Sequence, residues 1–293
     1  MAPKFDVYAH VTDTIIAEIE AGTPPWRKPW TGSASGIALP TRHNGEEYRG
    51  INILMLWVMA AKHGYVSSRW MTYKQAQELG GQVRKGETSS TVVKYGTFTR
   101  ENELGIEEEL PYARAYRVFN ADQIDGLPDG FNATVNRPRD LGTQGDPALD
   151  TWFAALGVPI DTTDKPEAYY RPSTDRIHMP PIATFESAAR YFEVLAHEQA
   201  HATKAQRRLD RQHTGTSQER YAKEEIVAEL ASVMVTCRLG IQPAFDQSAA
   251  YLDHWIDLLR QDNRAIIRAA SMAQAACDWM FEKAGDAPAH EIE

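Results

Sequence analysis

The sequence predicts an α+β protein of two domains. Three observations carry this. Beta-prone runs gather in two separate places, helical windows with apolar stripes surround each of them, and a Gly-, Pro-, Asn- and Asp-rich stretch over 131–147 parts the two groups. The chain of 293 residues has the length for two domains of ordinary size. The first is placed at 1–130, a linker at 131–147, and the second domain at 148–293.

In chain order, the first element is an amphipathic helix. Val7, Val11, Ile15, Ile16 and Ile19 recur at helical spacing, with Asp6, Asp13, Glu18 and Glu20 between them. That mixture does not read as a signal peptide. Pro24-Pro25-Trp26-Arg27-Lys28-Pro29-Trp30 then forms a proline-stiffened loop, and helices are expected near 51–63 and 73–80. Gly80 to Glu87 reads as a tight turn into the strand Thr91–Tyr95, the start of a small antiparallel sheet from residue 88 onward. Glu101 to Glu109 is acidic and most simply a solvated hairpin tip.

The second domain opens on two short β-prone runs, Ala168–Tyr170 and Arg176–Met179, with turn residues between them and Pro180-Pro181 after them. A short edge strand at this hairpin would be a place for an extended peptide to add. His178, on a strand, reads as packed or hydrogen-bonded. A helix follows over Thr184–Arg208, with Phe192, Leu195 and Ala196 on its apolar face. Another carries the stripe Ile226, Val227, Leu230, Val233 and Met234, with Gly240 as its natural stop. Leu252, Trp255, Ile256, Leu259, Ile266, Ile267, Met272 and Trp279 continue at helical spacing and read as core.

Chemistry concentrates in His197-Glu198-Gln199-Ala200-His201. Residues four apart on a helix share a face, so both imidazoles can close on one metal ion, with Glu198 beside them as a general base. A hydrolytic Zn²⁺ site takes three protein ligands and keeps one position open. The next helix offers Glu225 and Glu229, four apart on one face and away from Glu224. We take Glu225 as the third ligand and Glu229 as either a hydrogen-bond partner of a ligating imidazole or an alternative ligand. Mn²⁺ and Co²⁺ stay open beside Zn²⁺. The competing reading is that both glutamates are solvated charges paired with nearby lysines.

Net charge is −9, which taken alone disfavours a nucleic-acid partner. Its distribution does not. Residues 21–100 carry 11 Lys and Arg against 4 Asp and Glu, whereas 131–293 carry 17 against 24. One half is built to meet a polyanion. Aromatics interleave with cations there: Trp26, Arg27, Lys28 and Trp30, then Arg49 and Asn52, then Trp70, Tyr73 and Lys74, then Lys85. Flat rings between cations suit single-stranded nucleic acid, whose unpaired bases stack while Lys and Arg track phosphates. Core packing is the competing reading. It fits Trp57 inside the apolar helix, and stays open beside the DNA reading for Trp70, Trp26 and Trp30.

The only cysteines, Cys237 and Cys277, sit in apolar helical surroundings and read as buried thiols of a reducing, cytoplasmic compartment. No run approaches the ~20 apolar residues of a membrane span.

Pro-Trp-Arg-Lys-Pro-Trp (25–30), Tyr-Arg-Gly-Ile-Asn (48–52), Trp-Met-Thr-Tyr-Lys-Gln-Ala (70–76) and Val-Arg-Lys-Gly-Glu (83–87) together resemble the N-terminal domain of plasmid-borne ArdC antirestriction proteins. A similar domain is found in TraC-type primases. Tyr170 through Leu239 resembles the metallopeptidase domain that follows it in ArdC. The resemblance implies a single-stranded DNA-binding domain joined to a zincin-like metallopeptidase domain. In that family's setting, the protein is encoded by a conjugative plasmid and shields incoming DNA from host restriction endonucleases. It also implies His197, His201 and a helix glutamate as metal ligands, with Glu198 as the base. Zincins of this kind resemble Glu-x-x-x-Asp/Asn with the ligand first; here Glu229 ends the motif, which leaves the two glutamates interchangeable. Two other readings remain. DNA binding alone could protect, with the metal bracing the fold, or the chain could be a regulatory protease that cleaves a host or plasmid protein of unnamed identity.

Overall fold

The computed structural model describes residues 6–22, 38–101, 107–129, 131, 139, 141–242 and 249–288. The chain divides into two compact units, 1–25 with 40–134, and 26–39 with 135–293. Each is built around its own core.

Unit one begins with α1 (Val7–Glu20), whose first amides are satisfied by the Asp6 carboxylate, at 2.8 Å from Tyr8 N and 3.2 Å from Ala9 N. Val7, Val11, Ile15 and Ile19 form its buried stripe, as the four-residue spacing requires. Gly50, at φ 56°, takes a backbone that a side chain would strain, and it launches α2 (Ile51–His63). α2 is apolar almost all round and buried accordingly. α3 (Tyr73–Glu78) is closed by a reciprocal capping box between Thr72 and Gln75.

The main sheet has the order β1-β2-β5-β4, from Thr41–Arg42, Arg69–Met71, Glu107–Asn120 and Ser90–Glu101 respectively. β2, β5 and β4 pair antiparallel, as expected, but the edge strand β1 pairs parallel with β2. A second sheet is the antiparallel pair β3 (Gln82–Val83) and β6 (Ile124–Asp125). β4 and β5 extend as a two-stranded ribbon, in register from Ser90 opposite Val118 to Glu101 opposite Glu107.

Two residues expected at a DNA surface belong to this scaffold instead. Trp70 lies on β2, a central strand, and is only 1% exposed, so its ring packs in the core with Tyr65 against its edge. Asn52 ties α2 to β4: its amide donates to Val93 O at 2.8 Å and its carbonyl accepts from Val93 N at 2.7 Å. Both assignments to nucleic acid are corrected on this ground.

Unit two opens with α4 (Pro147–Ala155), capped by Asp146 and carrying proline at its first turn. Its three-stranded sheet has the order β7-β9-β8, from Ile160–Thr162, Arg176–Met179 and Tyr169–Arg171. The expected hairpin is therefore present, and β8 is its edge. Four helices follow: α5 (Ala188–Ala202), α6 (Ser217–Arg238), α7 (Ala249–Gln261) and α8 (Ala265–Ala284). Phe153 of α4 stacks on Phe192 of α5 at 5.7 Å, and Trp152 meets Phe281 of α8 at 5.0 Å. Cys237 and Cys277 are buried free thiols.

Helix α5 is shorter than the apolar pattern suggested. Ser187 caps its start by accepting the Arg190 amide, and after Ala202 the chain continues in hydrogen-bonded turns, such as Leu209 N to Thr203 O at 3.0 Å. Within the stretch read as linker, Arg139 is buried. Its guanidinium donates to the Leu239 carbonyl at 2.8 Å and pairs with Asp146 at 3.1 Å, so this residue is part of the second unit. Among the described residues, no helix is long and apolar enough to cross a membrane.

The Asn52 tie yields a test. Asn52→Ala leaves a strand amide and carbonyl without partners and should cost about 1–3 kcal/mol of stability, and Trp70→Ala about 3–5 kcal/mol, by urea denaturation. Any DNA affinity of the folded Asn52→Ala protein should match wild type; a selective loss of that affinity would restore the interface reading.

Candidate metal centre

His197 and His201 stand one turn apart on α5, with Nε2 atoms 3.1 Å apart and rings nearly perpendicular. Helix α6 packs alongside and delivers Glu225 between them. Glu225 Oε2 lies 3.5 Å from His197 Nε2, and Oε1 lies 3.4 Å from His201 Nε2. One ligand atom from each residue can be chosen so that all three lie within 4.8 Å of one another. Two imidazole nitrogens and a carboxylate oxygen, converging on one point, form a donor set that fits a divalent cation and leaves room for a fourth partner.

The geometry separates the two glutamates. Glu229 sits at the other ring nitrogen of His197, Oε2 to Nδ1 3.7 Å, where it can orient the imidazole. Glu224, read from the sequence as pointing away, occupies the matching place on the other histidine, 3.3 Å from His201 Nδ1. It is buried, and Arg211 grips it with two bonds of 2.7 and 3.1 Å while His213 Nε2 approaches to 2.7 Å. Both partners come from the loop before α6, and no local spacing in the sequence links them to Glu224.

Burial alone would raise the Glu224 carboxyl, but the hydrogen bonds from His201, His213 and Arg211 prevail and hold it far below the usual carboxylate range. Glu225 is lowered as well; burial opposes this, and the hydrogen bond and charge of His197 with the charge of His201 outweigh it. Burial would depress His197, yet its bond to Glu225 and the charges of Glu198, Glu229 and Glu225 push it to about 9.

Glu198 is buried and turned toward β8, where its Oε2 accepts the Tyr170 amide at 2.7 Å. That amide points off the edge of the sheet, so the strand that could receive an extended peptide is bonded to the acidic residue beside the donor set. An open cleft of ≈ 470 Å³ lies over these groups, walled by Tyr169, Tyr170, Lys204, Arg220 and Tyr221.

Of the other residues expected to bind nucleic acid, Trp26, Arg27, Lys28 and Trp30 lie outside the described residues. Arg49 and Lys85 are exposed. Lys74 is exposed and pairs with Glu78 at 3.6 Å, and Tyr73 is 43% exposed with its hydroxyl accepting from Gln82.

Two outcomes follow from this geometry. Glu225→Ala should remove metal binding as fully as His201→Ala, whereas Glu229→Ala and Glu224→Gln should weaken it by about 10–100-fold, measured by competition with a chelating dye. Because His197 is held above its ordinary value of 6.5, the folded metal-free chain keeps that proton more tightly than the unfolded one. That stabilising contribution is complete below pH 6.5 and is lost as pH rises through about 9. Melting temperatures in chelator should fall across this window, and His197→Gln should flatten the fall.

Comparison with known proteins agrees with both units. Residues 5–119 match the model for the N-terminal domain of anti-restriction factor ArdC, and residues 147–272 match that for a zincin-like metallopeptidase. The chain is 39% identical over 298 residues to the uncharacterized protein y4eC of Sinorhizobium fredii (strain NBRC 101917 / NGR234), covering 98% of this chain and 95% of that one. It is 36% identical over 300 residues to a DNA primase TraC of Escherichia coli, covering 95% of this chain but only 27% of the primase. The crystal structure of the antirestriction protein ArdC from plasmid R388, metal-free, superposes with a TM-score of 0.86 at 55% identity, covering 96% of this chain and 98% of that one. Its Mn(II)-bound structure superposes with a TM-score of 0.82 at 54% identity, covering 96% and 99%. Likeness of this extent, running through both units, means that the chain belongs to the ArdC family of antirestriction proteins, with a zincin-like metallopeptidase domain after the ArdC N-terminal domain.

Proposed function

We propose that this chain is a single-stranded DNA-binding antirestriction protein of a conjugative plasmid, which protects incoming DNA from host restriction endonucleases and carries a zinc-dependent peptidase site in its second unit. One observation carries the reading: the likeness to an antirestriction protein runs through both units, and the second retains two imidazoles, a carboxylate and the adjacent Glu198 in converging positions. The DNA partner is supported by the basic first half and by the relationship to primases. A divalent metal is supported by the donor set and by the Mn(II) held by the R388 relative. Zn²⁺ is the ion we assign, because two His and one Glu form its usual hydrolytic set.

A bound ion supplies Lewis acidity to a water and to a substrate carbonyl. The chain's own residues do the rest. His197, His201 and Glu225 hold the ion, with Glu229 and Glu224 fixing the two rings from behind. Glu198 accepts a proton from the attacking water as general base. The Tyr170 amide, donating to its Oε2, fixes its orientation. An extended peptide lying in the open cleft beside β8 would place a carbonyl near the donor set. The same cleft supports a second reading, a regulatory protease for a host or plasmid protein, with DNA binding serving delivery.

Glu198→Gln distinguishes them. The variant should fold, hold about one zinc per chain and lose any peptidase activity. Protection by DNA binding predicts that it still protects a transferred plasmid in a restricting host as well as wild type does. Loss of protection, with DNA affinity intact, would assign protection to proteolysis.

A further inference from the structure

Exposed rings gather on the β4–β5 ribbon. Among the described residues of the ribbon, Phe98 is 48% exposed and Tyr116 37%, both on one face, and Tyr95 is 42% exposed on the other. Side chains alternate along a strand, so the register fixes what else shares that face. It holds the cross-strand pairs Val92–Tyr116, Lys94–Arg114, Gly96–Tyr112, Phe98–Leu110 and Arg100–Glu108. Rings and cations therefore alternate: Tyr116, then Lys94 with Arg114, then Tyr112 and Phe98, then Arg100. The Tyr112 ring lies against the Gly96 backbone, where a Cβ would come within 2.8 Å of it, and its centre is 6.4 Å from that of Phe98. Only glycine allows the ring to settle there.

The cations have an unusual placement. Lys94 and Arg114 are directly opposite each other and both exposed, an arrangement that destabilises a sheet unless something negative lies over it. Neither forms an ion pair with a carboxylate among the described residues. Asn52 holds β4 from its edge, through Val93 N and O. On the face with the rings and cations, Ser90, Val92 and Val118 are buried at the base, while Lys94, Phe98, Arg100, Arg114 and Tyr116 are exposed. The acidic tip, Glu107 to Glu109, bounds it at the far end.

We propose that this face is where single-stranded DNA binds: bases stack on Tyr116, Tyr112 and Phe98, and phosphates lie over Lys94 and Arg114. The inference rests on the DNA-binding reading above and assigns it a surface that the sequence had placed elsewhere. Polyanion charge relieves the Lys94–Arg114 repulsion, and unpaired bases supply the flat partners that duplex withholds. From Val92 to Phe98 the ribbon runs about 20 Å, room for a few nucleotides.

The test uses the full-length protein and a fluorescent oligothymidine, read by anisotropy over a range of salt. Phe98→Ala/Tyr116→Ala should bind about 10-fold or more weakly. Lys94→Ala/Arg114→Ala should lower the slope of log affinity against log salt by about 1.4, roughly 0.7 per lost phosphate contact. The free charge variant should melt no lower than wild type, since a repulsion has been removed, which a merely structural role would not produce. Tyr95→Ala, on the opposite face, should bind as wild type. If wild type binds the oligonucleotide and both double variants bind equally well, the ribbon assignment falls and the DNA reading survives. Equal weakening by Tyr95→Ala also overturns it. If wild type does not bind at all, both fall.

Discussion

The second unit depends on one buried ion cluster, Glu224 with Arg211 and His213, at the seam between α5 and α6. Glu224 and Arg211 are 4–5% exposed at the side chain, and the guanidinium also reaches Thr203 Oγ1 and the Ala200 carbonyl at 3.0 Å. Charges in such a place are costly unless paired and fully hydrogen-bonded; removing one partner typically costs about 3–5 kcal/mol. Here every polar atom of the pair that the contacts reveal is occupied. The cluster thus fixes three things together: the end of α5, the start of α6, and the His201 ring, whose Nδ1 faces the same carboxylate.

With that seam fixed, adjacent glutamates acquire different work. Glu224 and Glu225 are about 100° apart around the helix and straddle the line along which α6 meets α5. One turns to the buried cluster and the other to the open Nε2 positions of both histidines. Glu229, one turn on from Glu225, reaches only the back of His197. Each imidazole is consequently held between a carboxylate behind and one in front, an arrangement that concentrates negative charge where a cation would sit. The acidity of the second half of the chain has a local meaning here, not merely a solubilising one.

The first unit shows the opposite use of charge. Lys94, Arg100 and Arg114 lie on one ribbon face in the company of rings, with Glu107 to Glu109 at its tip. The scaffold beneath is conventional: α2 is locked to β4 through Asn52, and Trp70 fills the core under a central strand. Both residues have polar or aromatic character, yet the fold spends them on stability, and the rings exposed on the ribbon are Phe98, Tyr116 and Tyr95.

By itself, the sequence determined the two-unit order, the helices that carry His197, Glu198, His201 and Glu225, and the β8–β9 hairpin. These follow from local periodicity, capping residues and a four-residue spacing, all properties of neighbours in the chain. Tertiary structure alone decided which glutamate faces which ring nitrogen, because that depends on how α6 is rotated against α5, and rotation is set by Arg211 and His213 from a loop. It alone decided that Trp70 is core and Asn52 a strap, since burial is a property of what lies across the sheet. It alone placed Lys94 opposite Arg114 and Gly96 opposite Tyr112, because alternation along each strand is local but the register between strands is not.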